Sequence, residues 1–301
     1  MSIITNKIDF AALISAKMAN PNGDPLNGNR PRTDYNGFGE ISDVCIKRKI
    51  RNRMQDMRED YQEKGIGYDI FVKSDERADD GYKSLSDRAS TELKGINNKD
   101  EYAEAACAKW LDVRSFGQVF AFASKNKGKK KESEKESSVS VGVRGPVSLH
   151  QAVSLSPVEV QSMQITKSVN SETKDDGSKS SDTMGEKHFI RFGLYLLKGS
   201  INVQLAEKTG FSEDDADIIK ECLRTLFLND ASSARPEGSM EVCRLYWWKH
   251  NCKDGQYSSA KVHRSLKAKL KEGVDVPSSV DDYEITLDEL PGLEPEVIKG
   301  V

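Results

Sequence analysis

Residues Asn20 to Arg53 read NPNGDPLNGNRPRTDYNGFGEISDVCIKRKIRNR, and the rest of the chain is understood from them. Asn-Gly pairs stand at Asn22-Gly23, Asn27-Gly28 and Asn36-Gly37, with Pro21, Pro25 and Pro31 interleaved. Both residues of such a pair tolerate positive φ, and proline fixes φ while removing an amide donor. The first half is therefore neither a helix nor a central strand. It is a shaped loop: on the plain reading a long surface connection, on the functional one a loop whose outward N–H groups bind anions. Arg30-Pro31-Arg32 favours the second.

The other half is a helix. Ser42 suits its N-cap and Asp43 its first turn. Ile46, Ile50, Met54 and Met57 fall on one stripe at helical spacing and face a core. Lys47, Arg51 and Arg58 line one flank of that stripe, Lys49 and Arg53 the other. Between Arg30 and Arg53 seven Lys/Arg stand against three acids, Asp34, Glu40 and Asp43. A merely solvated helix face mixes its signs in i,i+4 pairs. This one does not, which points to phosphate.

Bulk composition restricts how phosphate could be met. The 301 residues are 37% hydrophobic and 31% charged, enough for a modest core with long polar insertions. The net charge is −3, which excludes a general polycation, so nucleic-acid contact must come from local clusters. Five cysteines (Cys45, Cys107, Cys222, Cys243 and Cys252) without a C-x-x-C give neither a disulfide framework nor a zinc signature. Cys45, Cys222 and Cys243 sit in apolar patterns and read as buried thiols. No signal peptide and no membrane-length apolar run is present, so the expected location is cytoplasmic, away from any membrane.

Working outward, Ile8 to Lys17 alternates as a strand, with Phe10, Ala12, Ile14 and Ala16 on one face. Tyr61 to Ala123 reads as an insertion of helical pieces and polar loops. Glu101 to Leu111 is helical in composition. In DVRSFGQVFAF, Val119, Phe120 and Phe122 read as core, Arg114 and Gln118 as polar contacts, and Gly117 as a point of close backbone approach to a ligand. Ser124 to Ser138 (SKNKGKKKESEKESS) holds six lysines and three glutamates and buries nothing: a solubilising segment, or a salt-sensitive contact to phosphates.

Val139–Leu149 and Val160–Val169 have strand composition. A polar tip, Asn170–Met184, separates them from a strand at His188–Lys198. There His188, Ile190, Phe192, Leu194 and Leu196 share one face; Lys187, Phe189, Arg191 and Tyr195 share the other. Such a hairpin has no core of its own and is marginal alone. A second helix starts at Ser212, where Ser212 and Asp215 approximate a capping box. Met240–Lys249 is the last clear strand, with Val242, Arg244, Tyr246 and Trp248 opposite Cys243, Leu245 and Trp247. Ser258–Lys271 is basic and helical in character; Asp281–Glu296 is acidic. Without insertions the order is strand, helix, strand, strand, helix, strand, the split β-α-β arrangement of ferredoxin-like and RNA-recognition-type domains. That superfold hosts many functions, and the aromatic signature of sheet-face RNA binding is absent.

No Walker loop, G-x-S-x-G or H-E-x-x-H occurs. His150, His188, His250 and His263 lack ligand spacing, and no cofactor is implied. Asp24, Asp34 and Asp112 are the acids near the candidate loops: turn-stabilising Asx residues, or carboxylates that position a metal and water for phosphodiester cleavage.

Joint occurrence is more specific than any of these motifs. NPNGDPLNGNRPRTD followed by GEISDVCIKRKIRNR resembles the start of the backbone subunit of the type I-C CRISPR surveillance complex (Cascade). Asp112-Val113-Arg114-Ser115-Phe116-Gly117, GPVSLHQAVSLSPV from Gly145, Gly185-Glu186-Lys187-His188-Phe189 and ARPEGSM from Ala234 are similar in the same order. That subunit belongs to the repeat-associated (RAMP) superfamily. The resemblance implies an α+β fold with a ferredoxin-like, RRM-like palm (1–60 and 139–250). It also implies a large fingers insertion (61–138) with the Lys-rich loop, a β-hairpin thumb (167–187) and a C-terminal extension (251–301).

The implied function is non-catalytic: copies polymerise head to tail along CRISPR RNA, beside other Cascade subunits, and present the guide for pairing with target DNA. Implied RNA contacts are Asn20, Asn22, Asn27, Arg30 and Arg32 in the loop, and Lys47, Lys49, Arg51 and Arg53 on the helix. Arg114, Ser115 and Gln118 belong to the fingers, and Lys167, His188 and Arg191 to the thumb base. Lys125, Lys127, Lys129, Lys130 and Lys131 are possible DNA contacts. The alternative is a metal-dependent ribonuclease of the same superfamily that uses a loop aspartate.

Overall fold

A computed structural model describes residues 2–62, 68–121, 140–166 and 184–301. Phe122, the Lys-rich segment with Lys125, Lys127, Lys129, Lys130 and Lys131, Lys167 and the polar tip as far as 183 lie outside the described residues.

Strand β1 (Ile8–Ala19) enters the first loop, where β2 (Gly23–Asp24) pairs with β3 (Arg30–Pro31) before β4 (Phe38–Ile41). Helix α1 (Asp43–Asp56) follows, capped by the Ser42 hydroxyl on the Cys45 amide, and a turn at Met57 leads to α2 (Arg58–Gln62). The insertion holds α3 (Leu85–Glu92), α4 (Lys99–Lys109) and α5 (Leu111–Phe116), then β5 (Gly117–Phe120) paired with β6 (Val141–Arg144). Next come β7 (Val147–Leu149), β8 (Ala152–Pro157), β9 (Val160–Thr166) and the long β10 (Met184–Ile201). Helices α6 (Val203–Thr209) and α7 (Glu213–Arg224) precede β11 (Met240–Lys249). The chain ends with α8 (Ser259–Ser265), β12 (Leu266–Leu270), β13 (Tyr283–Leu287) and β14 (Glu296–Lys299).

The main sheet runs β14-β11-β1-β10-β8-β4, with every neighbouring pair antiparallel. Its inner four strands are β11-β1-β10-β8, and the strand beside β10, Ala152–Pro157, falls between the segments Val139–Leu149 and Val160–Val169 that read as strands. This is a mixed fold with a central sheet and helices, consistent with a ferredoxin-like core. Helices α1 and α7 cover one face. The stripe Ile46, Ile50 and Met54 meets Ile218, Ile219, Cys222 and Leu223 over Phe10, Ala12, Ile14 and Ala16. Ser212 and Asp215 form a true capping box at the start of α7.

The opposite face is covered as well. Ala11, Leu13, Phe192, Leu194, Tyr246 and Trp248 lie under Val262, Leu266, Tyr283, Leu290 and Leu293 from the C-terminal segment. The acidic end is thus a structural cover. Only the first part of the basic stretch Ser258–Lys271 is helical; Leu266, Ala268 and Leu270 alternate with lysines and pair as a strand with β13. Burial on both sides also explains two corrections of face. In β11 the register against β1 slips between Leu13 and Ile14, so Cys243 is an extra residue. Such a bulge flips the alternation: Val242 joins Leu245 and Trp247 on the helix side, while Tyr246 and Trp248 face the C-terminal cover. In β10, Ile190 shares the helix-side core with Tyr195, while Phe192 and Leu194 lie opposite. Glycines make that room, because a Cβ on Gly193 would stand 2.9 Å from the Tyr195 ring and one on Gly39 2.4 Å from its hydroxyl.

The insertion has its own core, where Phe71, Trp110 and Phe120 pack with Ala89, Leu93, Cys107 and Val113. Val119, expected in a core, is exposed instead. Gly117 lets backbone approach backbone, not ligand. Its φ is +80° and an added Cβ would lie 2.4 Å from the Val143 carbonyl.

Candidate nucleic-acid interface

The first loop is fastened to the helix it precedes. Asn22 Oδ1 accepts both the Ser42 amide and hydroxyl at 2.9 Å, and Ser42 in turn caps α1. The Asn20 side-chain amide donates to the Asn29 carbonyl at 2.7 Å, with Asn20 itself buried. The turn between β2 and β3 closes through Asp24, whose carboxylate accepts the Leu26 amide and whose carbonyl accepts the Asn29 amide. Gly28 and Asn29 both have positive φ there, as the Asn27-Gly28 signal requires. Asn27 and Arg30 are exposed, and Arg32 is half-buried with one guanidinium nitrogen 3.3 Å from Asp24.

Arg30 joins the loop to the hairpin stem. Its guanidinium donates to the Ser162 hydroxyl at 2.6 Å. The same hydroxyl lies 2.8 Å from His188 Nδ1, and the other ring nitrogen faces Glu186 at 3.4 Å. Two regions that the sequence marks separately are therefore one surface. Ser162 carries no motif, so nothing in the sequence announces this bridge.

Helix α1 behaves differently. Lys47 pairs with Asp43, one turn back. Arg51 is nearly buried, its Nε 2.8 Å from Asp112 and its guanidinium over the Phe116 ring. Lys49 and Arg53, expected on the guide, are set inside the protein. Lys49 is 4% exposed and ion-paired with Asp230, which also holds Arg235. Burial pushes the Lys49 ammonium below the usual lysine range, against the pull of Asp230. Arg53 donates to the Thr225 hydroxyl and to Asp56.

Arg114 and Ser115 are likewise internal. Arg114 grips the Asp215 carboxylate through two nitrogens, each at 2.9 Å, and so ties α5 to the capping box of α7. Gln118 keeps a partly exposed place on β5, and Arg191 is exposed beside Glu159. His188 is buried, with its ring engaged as above. Arg235 is a turn residue, its amide bonded within the Ser232 turn and its guanidinium on Asp230.

The three acids are all structurally engaged. Asp34 accepts the Asn36 and Phe38 amides, an Asx turn like that of Asp24. Asp112 is fully buried and accepts the Phe71 and Val72 amides as well as Arg51. Among the described residues no group of three His, Cys, Asp or Glu is placed to hold a metal ion, and no helix is long and apolar enough to cross a membrane.

The family model described as CRISPR-associated protein Cas7 matches residues 6–288. A CRISPR-associated protein Cas7 of Haloferax volcanii is 28% identical over 232 residues, 73% of this chain. The chain spans 64% of the length of that relative. Among solved structures, a chain of a CRISPR RNA-guided surveillance complex, pre-nicking, aligns at TM-score 0.46 and 17% identity, over 90% of this chain and 84% of its own. A chain of a CRISPR RNA-guided surveillance complex aligns at 0.45 and 14%, over 89% and 78%.

Proposed function

The chain belongs to the Cas7 family of CRISPR-associated proteins, and from that premise we propose that it is the guide-coating backbone subunit of a type I-C surveillance complex. Copies add head to tail along CRISPR RNA in the cytoplasm, beside other subunits of the complex, and leave the bases to pair with target DNA. The observation that carries this reading is the bridge from Arg30 through Ser162 to His188. It puts the basic loop and the hairpin stem on one continuous surface. In an acidic chain, such a local surface is where a sugar–phosphate strand is met.

The contacts we propose are Asn27, Arg30 and Arg32 in the loop, Lys47 and the exposed edge of Arg51 on α1, Gln118 in the fingers and Arg191 at the thumb base. Asn20 and Asn22 shape the loop from behind. Lys49, Arg53, Arg114 and Ser115 set the walls from within. The palm, fingers and thumb division fits the insertion's separate core and the β9–β10 stem. On that stem Met163, Ile165 and Met184 are exposed without a core, as a surface for the neighbouring copy would be. Lys167 and the lysines of the 124–138 segment remain proposed contacts from sequence alone, the latter to DNA.

We propose binding without cleavage, because Asp24, Asp34 and Asp112 each commit carboxylate oxygens to backbone amides. Size-exclusion chromatography with the ultraviolet absorbance ratio tests the main reading: a large RNA-laden species is expected, and an RNA-free monomer would overturn it. Labelled RNA incubated with the protein and magnesium should stay intact; cleavage lost on Asp24→Ala or Asp34→Ala would favour the ribonuclease.

A further inference from the structure

The first loop carries apolar surface as well as charge. Tyr35, Leu26 and Val44 are the most exposed large hydrophobic side chains among the described residues, at 109%, 98% and 68%. Leu26 and Tyr35 lie in the loop with Arg30 and Arg32, and Val44 in the first turn of α1. A single exposed apolar residue is ordinary. Three within one basic stretch of sequence mark that stretch as a candidate contact surface.

Tyr35 sits in the Asp34 turn. Asp34 Oδ1 accepts the Asn36 amide at 2.8 Å and the Phe38 amide at 2.9 Å, and the Asp34 amide donates to the Phe38 carbonyl. Thr33 and Gly39 bridge below it. The backbone beneath the ring is thus fixed, and the side chain projects into solvent from it. Arginines a few residues from an open aromatic side chain along one loop match a single strand, which offers phosphates and flat bases in turn.

We propose that Tyr35 is a stacking platform for one base of single-stranded RNA, with Arg30 and Arg32 on the adjoining phosphates. The inference rests on the RNA-binding reading above and adds to it a base contact that is blind to letter, because every base has a π-face. It also supplies a base contact outside the central sheet, both faces of which are covered.

The test uses the full chain, a short single-stranded RNA and an abasic RNA of equal length, read by fluorescence anisotropy. Tyr35→Ala should weaken binding to the natural RNA by about five- to one-hundred-fold and leave the abasic affinity unchanged; Tyr35→Phe should bind both like wild type. A thermal melt checks that Tyr35→Ala is folded, as expected for so open a position. Equal affinity of Tyr35→Ala and wild type for natural RNA overturns the proposal. Equal loss on both RNAs also overturns it, and assigns the ring to a contact between copies. Wild type that binds neither RNA overturns the RNA-binding reading itself, and this proposal with it.

Discussion

Arg30 lies on the surface and shares the hydroxyl of Ser162, whereas Lys49 lies inside the protein against Asp230. The loop and helix α1 have one basic character in sequence, yet Arg30 is exposed and Arg32 half-open on the loop while helix cations are largely consumed by the fold. Lys49 meets Asp230, Arg51 meets Asp112 and Arg53 meets Thr225 and Asp56. A buried cation loses hydration and must find a partner; an exposed one is left to its ligand. High local charge therefore marks two things at once: the surface proposed for phosphate, and a helix whose flanks are fastened to acids of the fold.

The comparison breaks most easily at Asp230. Asp230→Ala leaves Lys49 buried beside no carboxylate and should cost about 3 kcal/mol of stability by chemical denaturation. A loss within about 0.5 kcal/mol would mean that Lys49 swings out to solvent and that the helix resembles the loop after all. The loop answers with the opposite pattern. Arg30→Ala with Arg32→Ala should change stability by no more than about 0.5 kcal/mol, while the slope of log affinity against log salt falls by about two.

Lys47 tests where the helix changes character. Its i,i+4 pair with Asp43 is worth about 0.3–0.5 kcal/mol, so Lys47→Ala should be nearly neutral for folding and lower the salt slope by about one. The smallest effect is a drift with pH. Because the folded pKa of Lys49 lies below the ordinary 10.5, the unfolded chain holds this proton where the folded one has released it. Raising pH through that window removes the proton from the unfolded state and favours folding. Wild type should therefore gain stability relative to Lys49→Met as pH climbs toward 10.5. A gap that stays flat with pH would place the ammonium in water.

Much of the frame was legible because it rests on local chemistry. Ser42 and Ser212 cap the two helices as their side chains suggest, and the Ile46, Ile50, Met54 and Met57 stripe is buried throughout. The Asx roles of Asp24 and Asp34 follow from their turns. What escaped depends on distance along the chain or on a single inserted residue. Asp230 and Asp215 lie far from the cations they neutralise, and no periodicity connects them. The Cys243 bulge inverts the facing of part of the strand and leaves no mark in the sequence pattern. Burial of the sheet on both sides removes the polar face that would have fixed the register.

The placement of β1 has a consequence for synthesis. Ile8–Ala19 leaves the ribosome early, but its sheet partners are β10 and β11, and Asp9 closes on His250 across 241 positions. At about 5–20 residues per second, an almost wholly apolar strand waits roughly 10–50 s for its neighbours. Cooler, slower expression prolongs that wait as well as weakening aggregation, so yield should respond more to chaperone supply than to temperature.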